Sequence, residues 1–576
     1  MFCFVLSFLT VAGDFFIFPN VSMIKTYIPY MGVGWSIVAV PIAYLWCIIS
    51  FAGLFLVLRS IPFCGKTLQW LMWLLLTIPA RLYYFVTNVP PTYTDILNLL
   101  NVRIETTLDT ILPVLTPEII FKACLPNIII LIIMIVLKLP QPKIASQKFQ
   151  RVLAFSIGAL IFTGYVIDPR GEYLRQDSMT YSMKVFRETY KNLSEYILYI
   201  SQNDTQRAEF TYVKTHIAPP PKKNNLVFIL DESVRGDYLS INSPGLNTTP
   251  LLEKYLRDYP KNIFNYGLTL STATNTFLSG CAILTGLDHI PDEEFRVFSA
   301  PTLFDIAKAN GYKTVMLALQ ASYPDFVIRQ ADLDRIDTIY VSDKDFMLFD
   351  NEKNIDSDLD EADILHKRLK EESGLFVFLY KIGLHSPYQI RYPVNSENDI
   401  FTPSLGVKEQ FSPSKRREII NSYKNALHYN VDGFFKRLLG DNPEELKDCT
   451  IIYTSDHAES LFERGVGLHS TGIFEQTIVP FLIFSTDSWV LENLKHPDEI
   501  PFTLHHMNIA PTIQSILCRD LEHSSGDYSS LVSKENFKQP PLVYISKGAV
   551  WEGEISSPVS VDENGKMILP VEKYMY

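Results

Sequence analysis

Apolar residues crowd the first third of the chain in five segments, near 2–18, 33–58, 67–87, 119–138 and 151–168. A helix crosses a bilayer with about 20 apolar residues, so the second and third segments read as spans. The first is short and carries Asp14, placed near the outer interface. It has neither a basic start nor a small-residue cleavage site, so it reads as a span rather than a signal peptide. Arg59 and Lys66 flank the second connection; Lys138, Lys143, Lys148 and Arg151 flank the fourth. The other connections offer only Lys25 and Arg103 as basic residues. The positive-inside rule then puts connections two and four, and the amino terminus, in the cytoplasm. Everything after about residue 168 lies outside. The connection 88–118 contains DILNLLNVRIETTLDTIL (95–112) at helical spacing, either a membrane-surface helix or one packed on the outer domain.

Residues 169–216 are polar and aromatic with a helical pattern, and HIAPPPKKNN (216–225) reads as an extended spacer. Beyond it the pattern changes. Short apolar runs at 225–230, 313–319, 375–380, 450–455 and 479–484 predict buried strands. Helical periodicity at 301–310, 361–372, 415–440 and 505–517 lies between them. Alternation of this kind predicts an α/β domain with a central, mostly parallel sheet covered on both faces. The expected organisation is a transmembrane domain over 1–168, bridging helices and linker over 169–222, and an outer domain over 223–576.

At 576 residues the chain is too long for one ordinary domain, and a net charge of −12 gives no encouragement to a nucleic-acid reading. Of seven cysteines, only Cys281, Cys449 and Cys518 fall in the outer region, so one disulfide at most can form there. Cys281, among small residues, is expected to stay unpaired.

Candidate chemistry gathers at strand ends, where open α/β sheets collect ligands. The run NLVFILDESVRGDY (225–238) stops at Asp231-Glu232. TIIYTSDHAES (450–460) stops at Asp456-His457, an oxygen and a nitrogen ligand that suit zinc. His469 follows in the same stretch, and His385 lies just past LFVFLY (375–380). The cluster TATNT (272–276) offers the hydroxyls of Thr272, Thr274 and Thr276, which spacing alone does not separate. The remaining histidines read as structural.

The DES-VR-GD run at 231–237, TAT at 272–274, HSP at 385–387 with RYP just after, and SDH-x-ESL-x-E-x-G-x-x-LH ending at His469 resemble the phosphoethanolamine transferases of Gram-negative envelopes. These are membrane-anchored members of the alkaline phosphatase/sulfatase superfamily. The resemblance implies an enzyme of the bacterial inner membrane, multi-pass, with its catalytic domain in the periplasm. It implies one tightly held zinc ion on Glu232, Thr274, Asp456 and His457, with His385 and His469 at the substrate or a second metal. It also implies Thr274 as nucleophile, phosphatidylethanolamine as donor, and lipid A, lipopolysaccharide core or periplasmic glucan as acceptor. The chain departs from the lipid A-modifying members in having fewer outer cysteines, and Gly280-Cys281 where they carry proline-cysteine.

Three rivals are distinguishable. A formylglycine sulfatase needs Cys-x-Pro-x-Arg, whereas the one Cys-x-Pro, Cys124-Leu125-Pro126, lies in a predicted span without the arginine. A lipoteichoic-acid-synthase-like glycerophosphotransferase shares the topology and a threonine nucleophile. A non-catalytic membrane-anchored binding protein would not need the Glu/Thr/Asp-His/His set. The charge pattern makes one direct prediction: a reporter fused after Arg170 is active only outside the cytoplasm, and activity inside overturns the five-span topology.

Overall fold

The computed structural model describes, with short breaks, residues 2–17, 51–59, 64–87, 115–137, 224–286, 300–318, 336–341, 355–407, 413–521, 528–547 and 554–569. The chain divides into two compact units, the second holding everything from residue 206 onward.

In the first unit, α1 (Phe2–Ile17), α2 (Gly65–Thr87) and α3 (Pro117–Val136) are accompanied by helical residues 51–59. α3 starts where Thr116 Oγ1 accepts from Ile119 N and Pro117 takes the first helical position. Among the described residues, α3 is the one helix long and apolar enough to cross a membrane. Its exposed side is apolar (Phe121, Ile132, Ile135, Val136), whereas polar groups pair inside the unit. Trp73 Nε1 donates to Thr10 Oγ1 at 2.9 Å, and Asn127 Nδ2 to Thr77 Oγ1 at 2.8 Å. Polar pairs inside and apolar residues outside suit a lipid-facing bundle. Much of the predicted second span, the fifth span, the bridging segment 169–222 and the helix at 95–112 lie outside the described residues.

The second unit is α/β. Among the described residues its sheet has eight strands in the order β10-β2-β9-β6-β1-β5-β3-β4. They are β1 (Asn225–Asp231), β2 (Ile263–Leu270), β3 (Lys313–Ala318), β4 (Thr338–Val341), β5 (Leu375–Tyr380), β6 (Cys449–Ser455), β9 (Ile478–Ser485) and β10 (Leu504–His505). Short hairpin strands β7 (Ser460–Leu461) and β8 (Gly467–Leu468) lie outside the sheet. Only β9 runs against the others. The central strands are buried along their whole length, as expected when helices cover both faces.

Alternate side chains go to opposite layers. Phe228, Phe378 and Ile452 share a face with α5 (Thr276–Thr285), α6 (Leu303–Ala309) and α11 (Ile509–Cys518) in one core. Phe304 of α6 meets Phe376 and Phe378 edge-on. Tyr453 points the other way and packs on Phe435 of α9 (Gly433–Leu439) at 4.9 Å between ring centres. The helical pattern read over 415–440 is α8 (Arg416–Ala426), a π-helical stretch Leu427–Asp432, then α9. The cysteines described here, Cys281, Cys449 and Cys518 among them, are all free thiols.

Next to the sheet edge, His505 uses both ring nitrogens. Nδ1 accepts from Met507 N at 3.1 Å, and Nε2 faces Val543 O at 2.9 Å. The ring is therefore neutral, and burial pushes its pKa down to about 4. The unfolded chain binds that proton near pH 6.5, so it gains protons first. Stability from this group is full above pH 6.5 and falls by about 3 kcal/mol as pH drops towards 4. Urea midpoints should fall between pH 7.5 and 4 more steeply than this group alone requires, because His385, His457 and His506 are also buried with lowered pKa. His505→Gln should remove only its own share of the slope.

Candidate metal and nucleophile site

Asp231 and Ser455 end β1 and β6 in register, so Glu232 and Asp456-His457 leave the sheet side by side. All three side chains are buried. Glu232 Oε1 and Asp456 Oδ2 each lie 3.4 Å from His457 Nε2. The β7–β8 hairpin returns His469, whose ring stands 4.3 Å from that of His457. His385, beyond β5, lies 5.9 Å from His469 between ring centres. The structure thus brings together Glu232, Asp456, His457, His469 and His385.

The threonines divide differently from the motif alignment. Asn275 caps α5, its side chain accepting from Leu278 N at 3.0 Å, which makes Thr276 the first helical residue. Thr276 Oγ1 lies 3.3 Å from Glu232 Oε2 and 3.3 Å from His457 Nε2. The buried Thr274 hydroxyl makes no hydrogen bond to these groups or to any described residue, though its carbonyl accepts from Ser470 N at 2.8 Å. Thr272 Oγ1 is likewise without a described partner. The signal in the sequence is Asn275, a favoured cap, followed by the apolar run to Leu284. Helix N-termini also favour anions, and Thr276 stands at one.

Electrostatics make this a cation site. Burial, then the charge of Glu232, pushes the Asp456 carboxyl well above the usual range. Burial raises Glu232 as well, whereas positive charge on His457, His385 and His469, carried only when those rings are protonated, draws it below its ordinary value. Burial pushes His457 and His385 down to about 4, so both rings are neutral donors at physiological pH. Two buried carboxylates close together cannot both ionise cheaply unless a cation lies between them. Ligand atoms of Glu232, His457 and His469 lie within 4.8 Å of one another. Oxygen and imidazole donors so arranged fit zinc.

Sequence reasoning missed Tyr380, Lys381, Tyr453 and Asp358 behind these side chains, and gave no role to the motif residues Asp231, Ser233 and Glu459. Tyr380, the last residue of β5, donates to Glu232 Oε2 and stands 3.4 Å from Asp456 Oδ2. Asp231 Oδ1 accepts from Glu232 N, and its Oδ2 binds Lys381 Nζ at 2.6 Å and Tyr453 OH at 2.8 Å. Asp358 accepts from Ile382 N and Gly383 N, both at 2.9 Å, holding the loop that leads to His385. Ser233 and Glu459 complete the inner polar network. A lone polar residue beside a motif carries no periodic signal, so only the fold reveals these partners.

A family profile described as Sulfatase matches residues 224–517. This is over half of the chain, which belongs to the sulfatase family. Among named relatives, it is 27% identical over 323 residues to the Kdo(2)-lipid A phosphoethanolamine 7''-transferase of Salmonella typhimurium, covering 53% of each chain. It is 26% identical over 281 residues to the phosphoethanolamine transferase EptA of Helicobacter pylori, covering 47% of this chain and 49% of that one. The chain therefore spans about half the length of the curated relatives it matches. Its fold is that of the integral membrane lipooligosaccharide phosphoethanolamine transferase A from Neisseria meningitidis: TM-score 0.60 at 19% identity, over 90% of this chain and 95% of that one.

Metal analysis checks the cluster. Purified protein should carry at least one zinc, and His457→Ala should lose most of it. The loss should exceed the roughly 10–100-fold in affinity that removing an outer hydrogen-bond partner costs. Full occupancy in the variant would remove His457 from the ligand set.

Proposed function

We propose that this protein transfers phosphoethanolamine from phosphatidylethanolamine to a glycolipid or glycan of the bacterial envelope, through a covalent intermediate on Thr276. The observation that carries this reading is the Thr276 hydroxyl, 3.3 Å from both Glu232 Oε2 and His457 Nε2, at the first turn of α5. Thr276 takes the role that the motif alignment gave to Thr274. The relatives named for phosphoethanolamine transfer support the substrate class. The expected partners are the membrane, a lipid donor, and lipid A, lipopolysaccharide core or glucan as acceptor.

Glu232, Asp456 and His457 would hold one zinc ion, with Thr276 Oγ1 within reach and His469 at its border. When bound, the metal would lower the pKa of a hydroxyl beside it and offset charge on phosphoryl oxygens. Thr276 Oγ attacks the phosphorus of the donor phosphodiester. The bond to the diacylglycerol oxygen breaks, and that oxygen leaves carrying a proton. His385 and His469 edge the cluster and are suited to move protons to and from these oxygens. The acceptor oxygen then attacks the threonine-bound phosphorus and restores the hydroxyl, a ping-pong sequence. A multi-pass membrane domain over 1–168, a bridge over 169–222 and a periplasmic domain over 223–576 would bring such a site to lipid substrates.

Donor labelled in its ethanolamine head group tests the reading. Wild type should release diacylglycerol, hold label transiently, and deposit it on an envelope acceptor identified by mass spectrometry. Thr276→Ala should lose several orders of magnitude in rate, as when a covalent nucleophile is removed. Thr274→Ala should retain most of it. The reverse pattern would return the role to Thr274, and transfer of glycerol phosphate would favour the glycerophosphotransferase alternative.

A further inference from the structure

Ser233 stands between Glu232 and the carboxylate that orients His469. It is fully buried, and its φ of +61° lies in the left-handed region, unfavourable for any residue with a Cβ. That conformation turns its hydroxyl back into the site. Ser233 Oγ lies 2.6 Å from Glu232 Oε1 and 3.0 Å from Glu459 Oε1. Glu459 Oε1 is also 2.8 Å from His469 Nδ1. The backbone is fixed from both sides: Ser233 N donates to Asp456 Oδ1 at 3.1 Å, and Ser233 O accepts from Tyr423 OH at 2.7 Å. One residue thus touches Glu232, Asp456 and, through Glu459, His469.

We infer that Ser233 is a positioning residue of the metal centre, whose hydroxyl bridges Glu232 and Glu459 and thereby couples the aim of Glu232 to that of His469. This rests on the metal reading above. Glu459 accepts the Nδ1 proton of His469, which fixes the ring and makes Nε2 the nitrogen that serves the cluster. A carboxylate with two oxygens can swing about its last bonds. The hydroxyl carries one proton, donated to Glu232 Oε1 at the shorter contact and shared with Glu459 Oε1, so a shift of either carboxylate changes the other's hold on it. Backbone strain persists at a residue when its surroundings impose it, and such residues gather at functional sites. Glycine would fit this φ without strain but has no hydroxyl to offer.

That contrast supplies the test. Zinc affinity of the full chain is measured by competition with a chromophoric chelator, and the thermal midpoint of the metal-free protein is followed in parallel. Ser233→Gly removes hydroxyl and strain together; Ser233→Ala removes the hydroxyl and keeps the strain. Both should lose roughly 10–100-fold in zinc affinity, the size expected for an outer partner of a ligand. Metal-free Ser233→Gly should melt no lower than Ser233→Ala, so affinity and stability part company. Glu459→Gln should weaken zinc similarly. The double variant Ser233→Ala with Glu459→Gln should bind about as well as the weaker single, because both changes break one bridge. Zinc affinity that is unchanged in Ser233→Ala, or losses that multiply in the double variant, overturns the bridge while leaving the metal site intact. A wild-type chain that binds no zinc overturns both readings.

Discussion

The constraint on which the second unit is built is the burial of two carboxylates side by side. Glu232 and Asp456 leave adjacent parallel strands at the same level, and neither reaches water. In a low-dielectric setting, like charges at this separation force one group to keep its proton unless positive charge or donors are supplied. The surroundings answer with three imidazoles, the Tyr380 hydroxyl, the Ser233 hydroxyl and the backbone amides of Ser233 and His457. Such a site is costly as architecture alone. It makes physical sense as a container for a divalent cation, which converts the repulsion into ligation.

Much of the fold is legible in the sequence because its central strands are buried on both faces. β1, β3, β5, β6 and β9 announce themselves as unbroken apolar runs, and the structure ends each within a residue of the boundary read from the pattern. β2 escapes that reading. Its sequence IFNYGLTL mixes polar and apolar residues, its middle is only partly buried, and its pairing slips between Asn265 and Leu268. The reversed direction of β9 is not legible either. A buried strand looks the same in either direction, and only the connection through the hairpin and the turn at Phe474–Thr477 sets it.

The site is legible to a different degree. Charged or polar residues directly after an apolar run are conspicuous, so Glu232, Asp456, His457, His385 and His469 stand out. Register between β1 and β6 sets Glu232 beside Asp456-His457, whereas the β7–β8 hairpin brings His469 and the loop after β5 brings His385. The threonine is harder, because adjacent hydroxyls two residues apart differ only in where the helix starts. Placing the cap at Asn275 sets Thr276 in the first turn, near the carboxylates, and leaves Thr274 before the helix. Tyr380 belongs to neither pattern, and Ser233 and Glu459, though they lie within the quoted motifs, show their part only through tertiary contacts.

The loops that carry the site are held at backbone level, which explains why so few side chains suffice at the reactive edge. Asp231 ties Glu232 N to the buried Lys381, and Asp358, 4.0 Å from the same ammonium, ties down Ile382 N and Gly383 N. Gly383 has φ +56°, and a Cβ there would come within 2.7 Å of Glu232 N and O and still closer to Asp231 Oδ1. The turn into Glu232 and the turn towards His385 therefore touch main chain to main chain, locked by Leu384 N donating to Glu232 O at 2.9 Å. The buried Lys381 ammonium lies against both carboxylates that pin the two turns. The turns that carry Glu232 and His385 are thus tied to each other, and the geometry of the cluster is set by the main chain.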